Sequence, residues 1–300
     1  MNNSSIILVA GANGHAGKHI VPLLLERGYR LRLMTRSASR LRETFPAAEY
    51  PALEIVQADI TDKASLQEAC KGVHAVISTV GASLDMNDFR DRRSFHAVDY
   101  GGNVNLLAAA KAHGVKKFVY LSAFGGETTD TAYTNAHEAF VRELRQSGLE
   151  YSVVRPTGFF YVNAEFVKMA QKGFGMIVGD GKALTNPIHE EDVAKVCVSA
   201  LEGTERDIPC GGAETFSREE IVRMAFEALG RKPRLTRIPF GMMIAGSKIA
   251  RLLNQRLGEM VAFGAVVATK DCVAPAVETQ HRLAEYFRNT ARHEVLAKGS

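Results

Sequence analysis

Cysteine is scarce in this chain, and the four residues that occur form no recognisable metal or redox motif. They are far apart, with no CxxC pair and no Cys/His ligand pair among them: Cys70, Cys197, Cys210 and Cys272. Widely separated thiols in a chain of 300 residues are typical of reduced, mostly buried side chains. The pattern predicts a cytoplasmic protein and offers no set of ligands for a metal ion.

Long apolar runs are also missing. The longest covers residues 260–268, about half of the roughly 20 residues that a membrane-spanning helix requires. Residues 1–5 carry no basic segment, and the apolar residues 6–10 are too few for the core of a secretory signal. We therefore expect neither a membrane span nor a signal sequence.

A dense basic run is absent as well. The 37 Lys and Arg residues exceed the 33 Asp and Glu residues by only four. Such a mild excess, without a dense basic run, argues against a nucleic-acid surface and suits a small ligand that carries phosphate. The apolar content of 46% and the charged content of 23% are those of a globular protein with a sizeable core. The expected partner is a small molecule, and a monomer and a homodimer remain equally open.

The first half of the chain alternates short apolar runs with longer segments of helical periodicity, one of which predicts a helix at residues 96–113. Six apolar runs precede residue 160, at residues 5–10, 30–34, 53–56, 75–79, 117–121 and 151–154. Short buried strands that alternate with helices are typical of βαβ units and a parallel sheet. Residues 1–160 are therefore predicted to form an α/β, Rossmann-type, doubly wound parallel sheet.

The pattern loosens after residue 160. Helices are expected at residues 192–201, 218–229 and 240–269, with an added strand at 234–238 and a frayed tail after residue 290. Ser217 and Glu220 predict a capping box at the start of the second of these helices. Met242 and Met243 are predicted to be core residues, with a roof over a ligand pocket as the alternative. Since no clear linker occurs, residues 161–300 are predicted to be a small α/β substrate-side annex, packed on the first region in one compact unit.

A glycine-rich turn joins the first predicted strand to the first predicted helix. Its glycines recur at every third position, in the segment Gly11, Ala12, Asn13, Gly14, His15, Ala16, Gly17. The first glycine permits the tight turn, the second admits a pyrophosphate and the third lets the helix pack on the strand. The helix N-terminus supplies N–H donors and partial positive charge. The segment therefore predicts a nicotinamide dinucleotide site that includes Gly11, Asn13, Gly14, His15, Ala16 and Gly17.

The end of the second predicted strand indicates which dinucleotide binds. A site that prefers NAD usually has a carboxylate there for the ribose 2′-hydroxyl, whereas this chain has Thr35 followed by Arg36 and, one turn later, Arg40. A guanidinium can pair with a 2′-phosphate that a carboxylate would repel. NADP(H) is therefore predicted over NAD(H), with a solvated loop arginine as the alternative.

Two later strand ends are predicted to complete the cofactor site, since ligands of parallel sheets lie beyond the carboxyl ends of the strands. Asp59 and Ile60 follow the third strand, where a carboxylate could accept from the adenine amino group. Thr79, Val80 and Gly81 follow the fourth, where small residues let a ribose lie against the backbone. The alternative for Asp59 is a helix cap.

These segments resemble the atypical short-chain dehydrogenases/reductases, in particular NmrA-like and divinyl-chlorophyllide-reductase-like proteins. The resemblance covers roughly residues 5–240 and rests on the motifs at residues 11–17, 57–62, 98–103, 114–122, 147–149, 154–157 and 187–194. It identifies the superfamily and leaves the substrate open.

The resemblance implies a catalytic Tyr, a Lys four residues later and a Ser or Thr at the end of the fifth strand. Here Tyr133 matches the Tyr, His137 stands where the Lys would be, and Ser122 offers the hydroxyl. Residues four apart share a helix face, but an imidazole lowers a tyrosine pKa less than an ammonium does. Tyr133 is expected either to donate a proton or to plug the start of a helix. For His137 a hydrogen bond to the cofactor ribose, or a structural one, is favoured over acid–base work.

The sixth strand leads into an aromatic segment beside the expected nicotinamide. Pro156 and Phe159 are predicted to contact the cofactor, while Phe160 and Tyr161, with Phe124 and Tyr133, are predicted to line a pocket for a flat apolar substrate. Core packing is the alternative for at least one of the three aromatic residues.

The sequence therefore favours an NADP(H)-dependent reductase of a carbonyl or an activated double bond in a hydrophobic molecule, with aromatic compounds among the candidate substrates. The competing hypothesis is a non-catalytic dinucleotide-binding sensor or assembly protein, which the missing Lys favours. An isomerase or epimerase is a third hypothesis, and the incomplete Tyr/Lys pair argues against it.

Overall fold

Residues 5–82 and 93–298 are described in a computed structural model of the chain. The expectation about a signal sequence rests on the first residues, of which residues 1–4 lie outside this range. Two compact units are present: Met1–Arg155 with Val193–Ile208, and Pro156–Asp192 with Pro209–Ser300. The segment Val193–Ile208 thus belongs to the first unit, although the sequence analysis placed it in the annex.

The first unit is organised by a seven-stranded sheet. Its strands are β1 (Ile6–Ala10), β2 (Arg30–Thr35), β3 (Glu54–Gln57), β4 (Ala75–Ser78), β5 (Lys117–Leu121), β6 (Glu150–Pro156) and, later in the chain, β9 (Asp207–Cys210). The spatial order is β3-β2-β1-β4-β5-β6-β9, and the pairings from β3 to β6 are parallel. This arrangement confirms the predicted Rossmann-type doubly wound sheet.

The sequences of the central strands explain why these strands are buried. In β1, Val9 pairs with Leu33 on one side and Ile77 on the other, and all three residues are fully buried. Central parallel strands are covered on both faces, so continuous apolar runs replace alternation. Helices supply this cover, and they are α1 (Gly17–Glu26), α2 (Ala38–Thr44), α3 (Lys63–Cys70), α4 (Asn103–Ala112), α5 (Ala132–Arg145) and α8 (Glu190–Glu202).

The segment before α4 differs from the single helix expected there. Residues His96–Gly102 form a π-helical segment that runs directly into α4. Such segments are rare and often occur at functional sites, because the extra residue turns a side chain in a new direction. Here the segment carries Asp99 and leads to Asn103, both fully buried.

The second unit has its own apolar core. Its remaining elements are α6 (Phe160–Asn163), α7 (Glu165–Gln171), β7 (Gly175–Val178), β8 (Leu184–Thr185), β10 (Phe216–Ser217), α9 (Arg218–Glu227), β11 (Leu235–Ile238), α10 (Phe240–Leu253), α11 (Gln255–Thr269) and α12 (Leu283–Lys298). Phe160, Phe226 and Phe287 are among the buried residues of the core. The expected strand at 234–238 and the predicted Ser217 capping box on α9 are confirmed.

Two expectations about the second unit are wrong. The tail after residue 290 belongs to α12, which extends to Lys298. Met242 is 64% exposed on α10 rather than part of the core, while Met243 is half-buried. An apolar helical stretch is compatible with a core and with an exposed face, and only the packing of α10 distinguishes them. No helix in the described ranges is long and apolar enough to cross a bilayer.

A buried ion pair joins α5 to the end of β6 in the first unit. The Arg155 guanidinium donates to both carboxylate oxygens of Glu138 and, at 2.6 Å, to Asp207 Oδ1. The Arg155 and Glu138 side chains are only 6% and 11% exposed. These neighbouring carboxylates outweigh the effect of burial and raise the pKa of Arg155, so the guanidinium stays charged.

We expect Glu138→Gln to lower the free energy of unfolding by about 3 kcal/mol, because it leaves a buried guanidinium short of a compensating charge. The matched control is Glu165→Gln, which breaks the exposed pair with Lys168 and should cost less than about 1 kcal/mol. Urea unfolding followed by far-UV circular dichroism measures both, since the chain has no tryptophan. Equal losses of unfolding free energy in the two variants would contradict the conclusion that the buried pair of Arg155 and Glu138 stabilises the fold more than the exposed pair does.

Candidate cofactor site

The turn between β1 and α1 is shaped by three glycines. Gly11 has φ +88°, and a Cβ there would lie 2.5 Å from Thr79 Oγ1. The Gly14 N–H donates to the Gly11 carbonyl at 2.9 Å, which closes the turn. A Cβ at Gly17 would lie 2.2 Å from the same carbonyl oxygen, so α1 starts against the backbone of the turn. These short distances explain why the tight turn requires a glycine at position 11 and why the close packing of α1 requires one at position 17.

The start of α1 has the features of an anion site. No side chain caps it among the described residues, and its first turn carries no carboxylate. Gly14 and His15 are exposed at the tip of the turn, whereas Ala16 is buried. The buried Asn13 Oδ1 meets no hydrogen-bond partner within the described part of the chain. A narrow glycine turn, an uncapped helix N-terminus and an orphaned polar atom fit the pyrophosphate of a dinucleotide.

The loop after β4 is held by two side chains that the sequence analysis did not identify as site residues. Asn103 Nδ2 donates to the Val80 carbonyl at 3.2 Å, and the Ala82 N–H donates to Asp99 Oδ2 at 3.1 Å. A Cβ at Gly81 would lie 2.7 Å from Asp99 Oδ1, which explains the glycine. The predicted cofactor residues Thr79, Val80 and Gly81 thus form a loop supported from the π-helical segment.

The sequence contained a signal for the support that Asp99 and Asn103 give to the loop after β4. The segment Val98–Asn103 contributed to the family resemblance, but nothing in its spacing assigns its polar residues a partner. Asn103 also accepts from Ser78 Oγ at 2.7 Å and is fully buried. A polar residue inside a helix is usually solvent-facing, and only the fold shows that this one faces the strand end.

The end of β2 presents two guanidinium groups. Thr35 ends the strand, Ser37 caps α2 by accepting from the Arg40 N–H, and the Arg36 and Arg40 side chains are exposed. Exposure at this strand end leaves them accessible to a phosphate. The structure therefore places the predicted 2′-phosphate residues at the carboxyl edge of the sheet, while their role remains a prediction.

Asp59 is held by neighbours of its own. Its Oδ1 accepts from the Thr61 N–H and Oγ1 at 2.8 and 2.7 Å, and Arg93 Nη1 lies 3.3 Å from Oδ2. Burial raises the pKa of Asp59, but the Thr61 hydrogen bonds and the charges of Arg93 and Arg36 outweigh it, so the pKa lies below its ordinary value. The alternative of a helix cap does not apply, because Asp62 caps α3.

Ile60 is an interior residue of the first unit. It is 4% exposed, and a Cβ on Gly102 would lie 2.7 Å from its side chain. Asn105 Nδ2 donates to the Ile60 carbonyl at 3.3 Å. The described contacts of Ile60 are thus with the helical segment that carries Gly102 and Asn105, and the predicted cofactor contact has no support from them.

His137 is enclosed by protein groups. Its Nδ1 lies 2.6 Å from the Tyr120 hydroxyl, its Nε2 lies 3.3 Å from Asp99 Oδ1, and the side chain is 5% exposed. Burial and then the Asp99 charge raise the pKa of Tyr120 well above its ordinary value, so the phenol keeps its proton and donates to Nδ1. In the neutral ring Nε2 then carries the proton and faces Asp99. This geometry opposes the predicted ribose bond and favours the structural alternative.

Tyr133 and Ser122 remain candidates for chemistry. Tyr133 is half-buried in the first turn of α5, with its ring 4.5 Å from that of His137 and 5.3 Å from that of Phe95, edge-on in both cases. Ser122 directly follows β5 and is 4% exposed, and its Oγ has no hydrogen-bond partner within residues 5–82 and 93–298. A buried unpartnered hydroxyl at a strand end is unusual, and a ligand would satisfy it.

The predicted aromatic wall is divided between the units. Phe124 is half-buried in the first unit. In the second unit Pro156 is buried, and the half-buried rings of Phe159 and Tyr161 lie 5.5 Å apart. Phe160 is 4% exposed within the second core, so the core alternative applies to it and its predicted place in the substrate pocket is corrected.

A histidine cluster in the second unit was not anticipated. His189, Glu191 and His281 offer ligand atoms within 4.8 Å of one another. The His189 and His281 rings stack at 3.9 Å, His189 Nδ1 accepts from the Glu191 N–H, and His281 Nδ1 lies 2.8 Å from Asp192 Oδ2. These bonds anchor the start of α8. Because His189 Nδ1 accepts from the backbone, the ring proton lies on Nε2, which opposes metal ligation there.

Comparisons with known proteins agree with this geometry. A family model described as NAD(P)H-binding matches residues 11–204. The chloroplastic divinyl chlorophyllide a 8-vinyl-reductase of Zea mays is 31% identical over 258 residues, which is 81% of this chain and 64% of that protein. The photosystem II assembly factor Ycf39 of Guillardia theta is 27% identical over 284 residues, with 91% of this chain and 87% of that protein covered.

A solved structure with the same fold is the NADPH-dependent quinone oxidoreductase of Escherichia coli in complex with NADPH. The TM-score is 0.74 at 18% identity, with 95% of this chain and 99% of that chain covered. At this identity the likeness shows the fold alone. The chain spans less than two thirds of the length of the maize reductase. The predicted resemblance to atypical short-chain reductases is confirmed.

We expect Gly17→Ala to weaken NADPH binding at least tenfold and to lower the melting temperature, because the added Cβ would force α1 away from the Gly11 carbonyl. Gly264→Ala is the matched control: it lies in α11, and its Cβ would have no described atom within 4 Å. Calorimetric titration with NADPH and thermal unfolding measure both variants. Unchanged NADPH affinity in a Gly17→Ala variant that folds would show that cofactor binding does not depend on the close approach of α1 to the Gly11 carbonyl.

We expect Asp59 to titrate below its ordinary value of about 3.9. A depressed carboxyl pKa stabilises the fold above the unfolded-state value, and this contribution is lost as the pH falls through the folded-state pKa. Arg93→Ala should raise the Asp59 pKa, as read by carboxyl-carbon NMR during an acid titration. An Asp59 pKa that does not respond to Arg93→Ala would show that the ion pair does not set it.

Proposed function

Because the chain belongs to the NAD(P)H-binding family, we propose that it is an NADP(H)-dependent reductase of a carbonyl or activated double bond in a hydrophobic small molecule. The family and its reductase relatives support a nicotinamide dinucleotide as the cofactor. The observation that carries the proposal is the buried, unpartnered Ser122 hydroxyl at the end of β5, in the same unit as Tyr133 and the glycine turn.

The residues that would hold the cofactor belong to the first unit. The turn from Gly11 to Gly17, with the N-terminus of α1, would bind the pyrophosphate, and the loop of Thr79, Val80 and Gly81 would support a ribose. Arg36 and Arg40 would pair with a 2′-phosphate, and no carboxylate stands at the end of β2 to repel it. When bound, the cofactor supplies a hydride.

In this proposal Tyr133 and Ser122 perform the remaining chemistry. Tyr133 holds the proton on its phenol oxygen and delivers it to the substrate oxygen or carbon as charge develops there. Ser122 Oγ orients the substrate by a hydrogen bond, for which its present lack of a partner leaves it available. His137 acts as a positioning residue, because its ring supports Tyr133 while Tyr120 and Asp99 hold it in place.

The second candidate is a dinucleotide-responsive protein whose output is a partner interaction. His137 takes the position of the Lys that the family resemblance implies. Its ring nitrogens face Tyr120 and Asp99, so this position does not supply Tyr133 with the cation that a Lys would. One relative, Ycf39, is described as an assembly factor for photosystem II. In this case the bound cofactor would change a surface of the protein, and no substrate would turn over.

We expect wild-type protein to bind NADPH at least tenfold more tightly than NADH, and Arg36→Glu to reverse this preference, because a carboxylate repels the 2′-phosphate and can accept from a 2′-hydroxyl. Arg30→Glu is the matched control, since Arg30 is exposed at the opposite end of β2. Calorimetric titration of the wild type and the two variants with both dinucleotides measures the three affinity ratios. Equal affinities of the wild type would refute the choice of NADP(H).

We expect NADPH oxidation over a panel of ketones, quinones and enones, with a loss of kcat by about 10²-fold or more in Tyr133→Phe at unchanged NADPH affinity. Tyr50→Phe, which alters a half-buried tyrosine packed on Phe45, should leave kcat unchanged. Tight NADPH binding with no turnover of any panel member would instead favour the dinucleotide-responsive protein.

A further inference from the structure

Helix α10 exposes an apolar face. Met242, Ile249, Leu252 and Leu253 are 64%, 64%, 86% and 85% exposed, and Phe240 at the start of the helix is 42% exposed. Positions 242, 249 and 252, spaced by seven and three residues, lie on one side of an α-helix. Scattered exposed hydrophobic residues are normal, but Met242, Ile249, Leu252 and Leu253 share one side of the helix, which is typical of an interaction site.

The opposite side of α10 is occupied by α11. Ser247 is 5% exposed, and a Cβ at Gly258 of α11 would lie 2.6 Å from both Arg251 Cβ and the Ser247 carbonyl oxygen. The two helices are therefore tightly packed and are joined through Asn254, which caps α11. Because this packing fixes the orientation of α10, the exposed face is a defined surface of the helical hairpin, with Leu252 and Leu253 at its tip.

The segment that leads into α10 and includes it carries charge of one sign only. Residues 228–258 include no Asp or Glu, and they include seven cations: Arg231, Lys232, Arg234, Arg237, Lys248, Arg251 and Arg256. The whole chain has 37 cations and 33 anions, so the rest of it has 30 cations and 33 anions. The net positive charge of the protein thus comes from this segment.

Several of these cations are exposed, and two of them lie on the helix that carries the apolar face. Lys248 and Arg251 lie within α10, and Lys232 and Arg234 precede β11. Arg237, by contrast, pairs with Glu219, and Arg256 is 3% exposed. An apolar helix face flanked by lysine and arginine is the pattern of a helix that lies in the interface of an anionic bilayer.

From these observations we propose that the exposed face of α10, with its tip at Leu252 and Leu253, docks on the surface of an anionic lipid bilayer. The aliphatic side chains enter the boundary between headgroups and acyl chains, and Lys248 and Arg251 contact anionic headgroups. This inference does not rest on the proposed reductase activity.

The charge pattern disfavours the other occupants of this surface. A two-fold dimer through α10 would bring Lys248 and Arg251 close to the same residues of the second copy, and no carboxylate of the segment could compensate. Nucleic acid would find aliphatic side chains at the tip, where stacking requires aromatic or guanidinium planes. A bilayer accepts both the aliphatic tip and the positive charge.

The test is co-sedimentation of the full chain with two kinds of vesicle, one of phosphatidylcholine and one in which part of it is replaced by phosphatidylglycerol. We expect binding to the phosphatidylglycerol vesicles, weakened by salt, and at least tenfold less binding to pure phosphatidylcholine. The double variant Leu252→Ser with Leu253→Ser, and the double variant Lys248→Glu with Arg251→Glu, should each lose at least tenfold in binding.

Matched controls use exposed residues elsewhere in the second unit. Phe174→Ser removes an apolar side chain that is 45% exposed, and Lys172→Glu reverses a nearby exposed charge. Both should bind vesicles like the wild type, and NADPH affinity should be unchanged in every variant. Absent vesicle binding, or binding that the α10 variants retain, would overturn the proposal. So would a wild-type dimer in sedimentation velocity that the leucine variant converts to monomer, since the face would then be a self-association surface.

Discussion

The close approach of α1 to the turn after β1 is the constraint on which the cofactor site depends. The Gly11 carbonyl accepts from Gly14 and leaves no room for a Cβ at Gly17. The helix can therefore begin directly at the carboxyl edge of the sheet, with its N-terminus uncapped by any described side chain. A dinucleotide needs backbone donors at that edge, and a larger residue at either glycine would move them away.

A buried polar network extends this constraint to the candidate catalytic residues. Asp99 supports the loop after β4 through the Ala82 N–H and also faces His137, which in turn contacts Tyr133 and Tyr120. The loop of Thr79, Val80 and Gly81 and the candidate proton donor Tyr133 thus share one support from the π-helical segment. His137 Nε2 and Asp99 Oδ1 face each other without a hydrogen bond in the described part of the chain, so the arrangement rests on the bonds to Tyr120 and to the Ala82 N–H.

The local features of the structure could be predicted from the sequence. Strand burial, the Ser217 capping box and the glycine turn depend on residues close in the chain, and each is present as predicted. Contacts between residues that are distant in the chain were predicted less well. For His137 the sequence left a bond to the cofactor ribose and a structural bond open, and the fold shows that its Nδ1 lies against the Tyr120 hydroxyl on β5. Phe160 was assigned to a pocket because its neighbours are aromatic, whereas it lies in the second core.

The sequence by itself determined the fold class and the glycine turn at which a dinucleotide is predicted to bind, because periodicity and glycine spacing act through the chain's own backbone. It also determined the basic character of residues 228–258, which is a matter of composition. Only the tertiary structure decided which face of α10 is covered, since an apolar helical stretch packs equally well as core or as surface until its neighbour is known. Likewise, the glycine turn predicts a nicotinamide dinucleotide, but the partners of His137 and Ser122 depend on how strands, helices and loops come together around them.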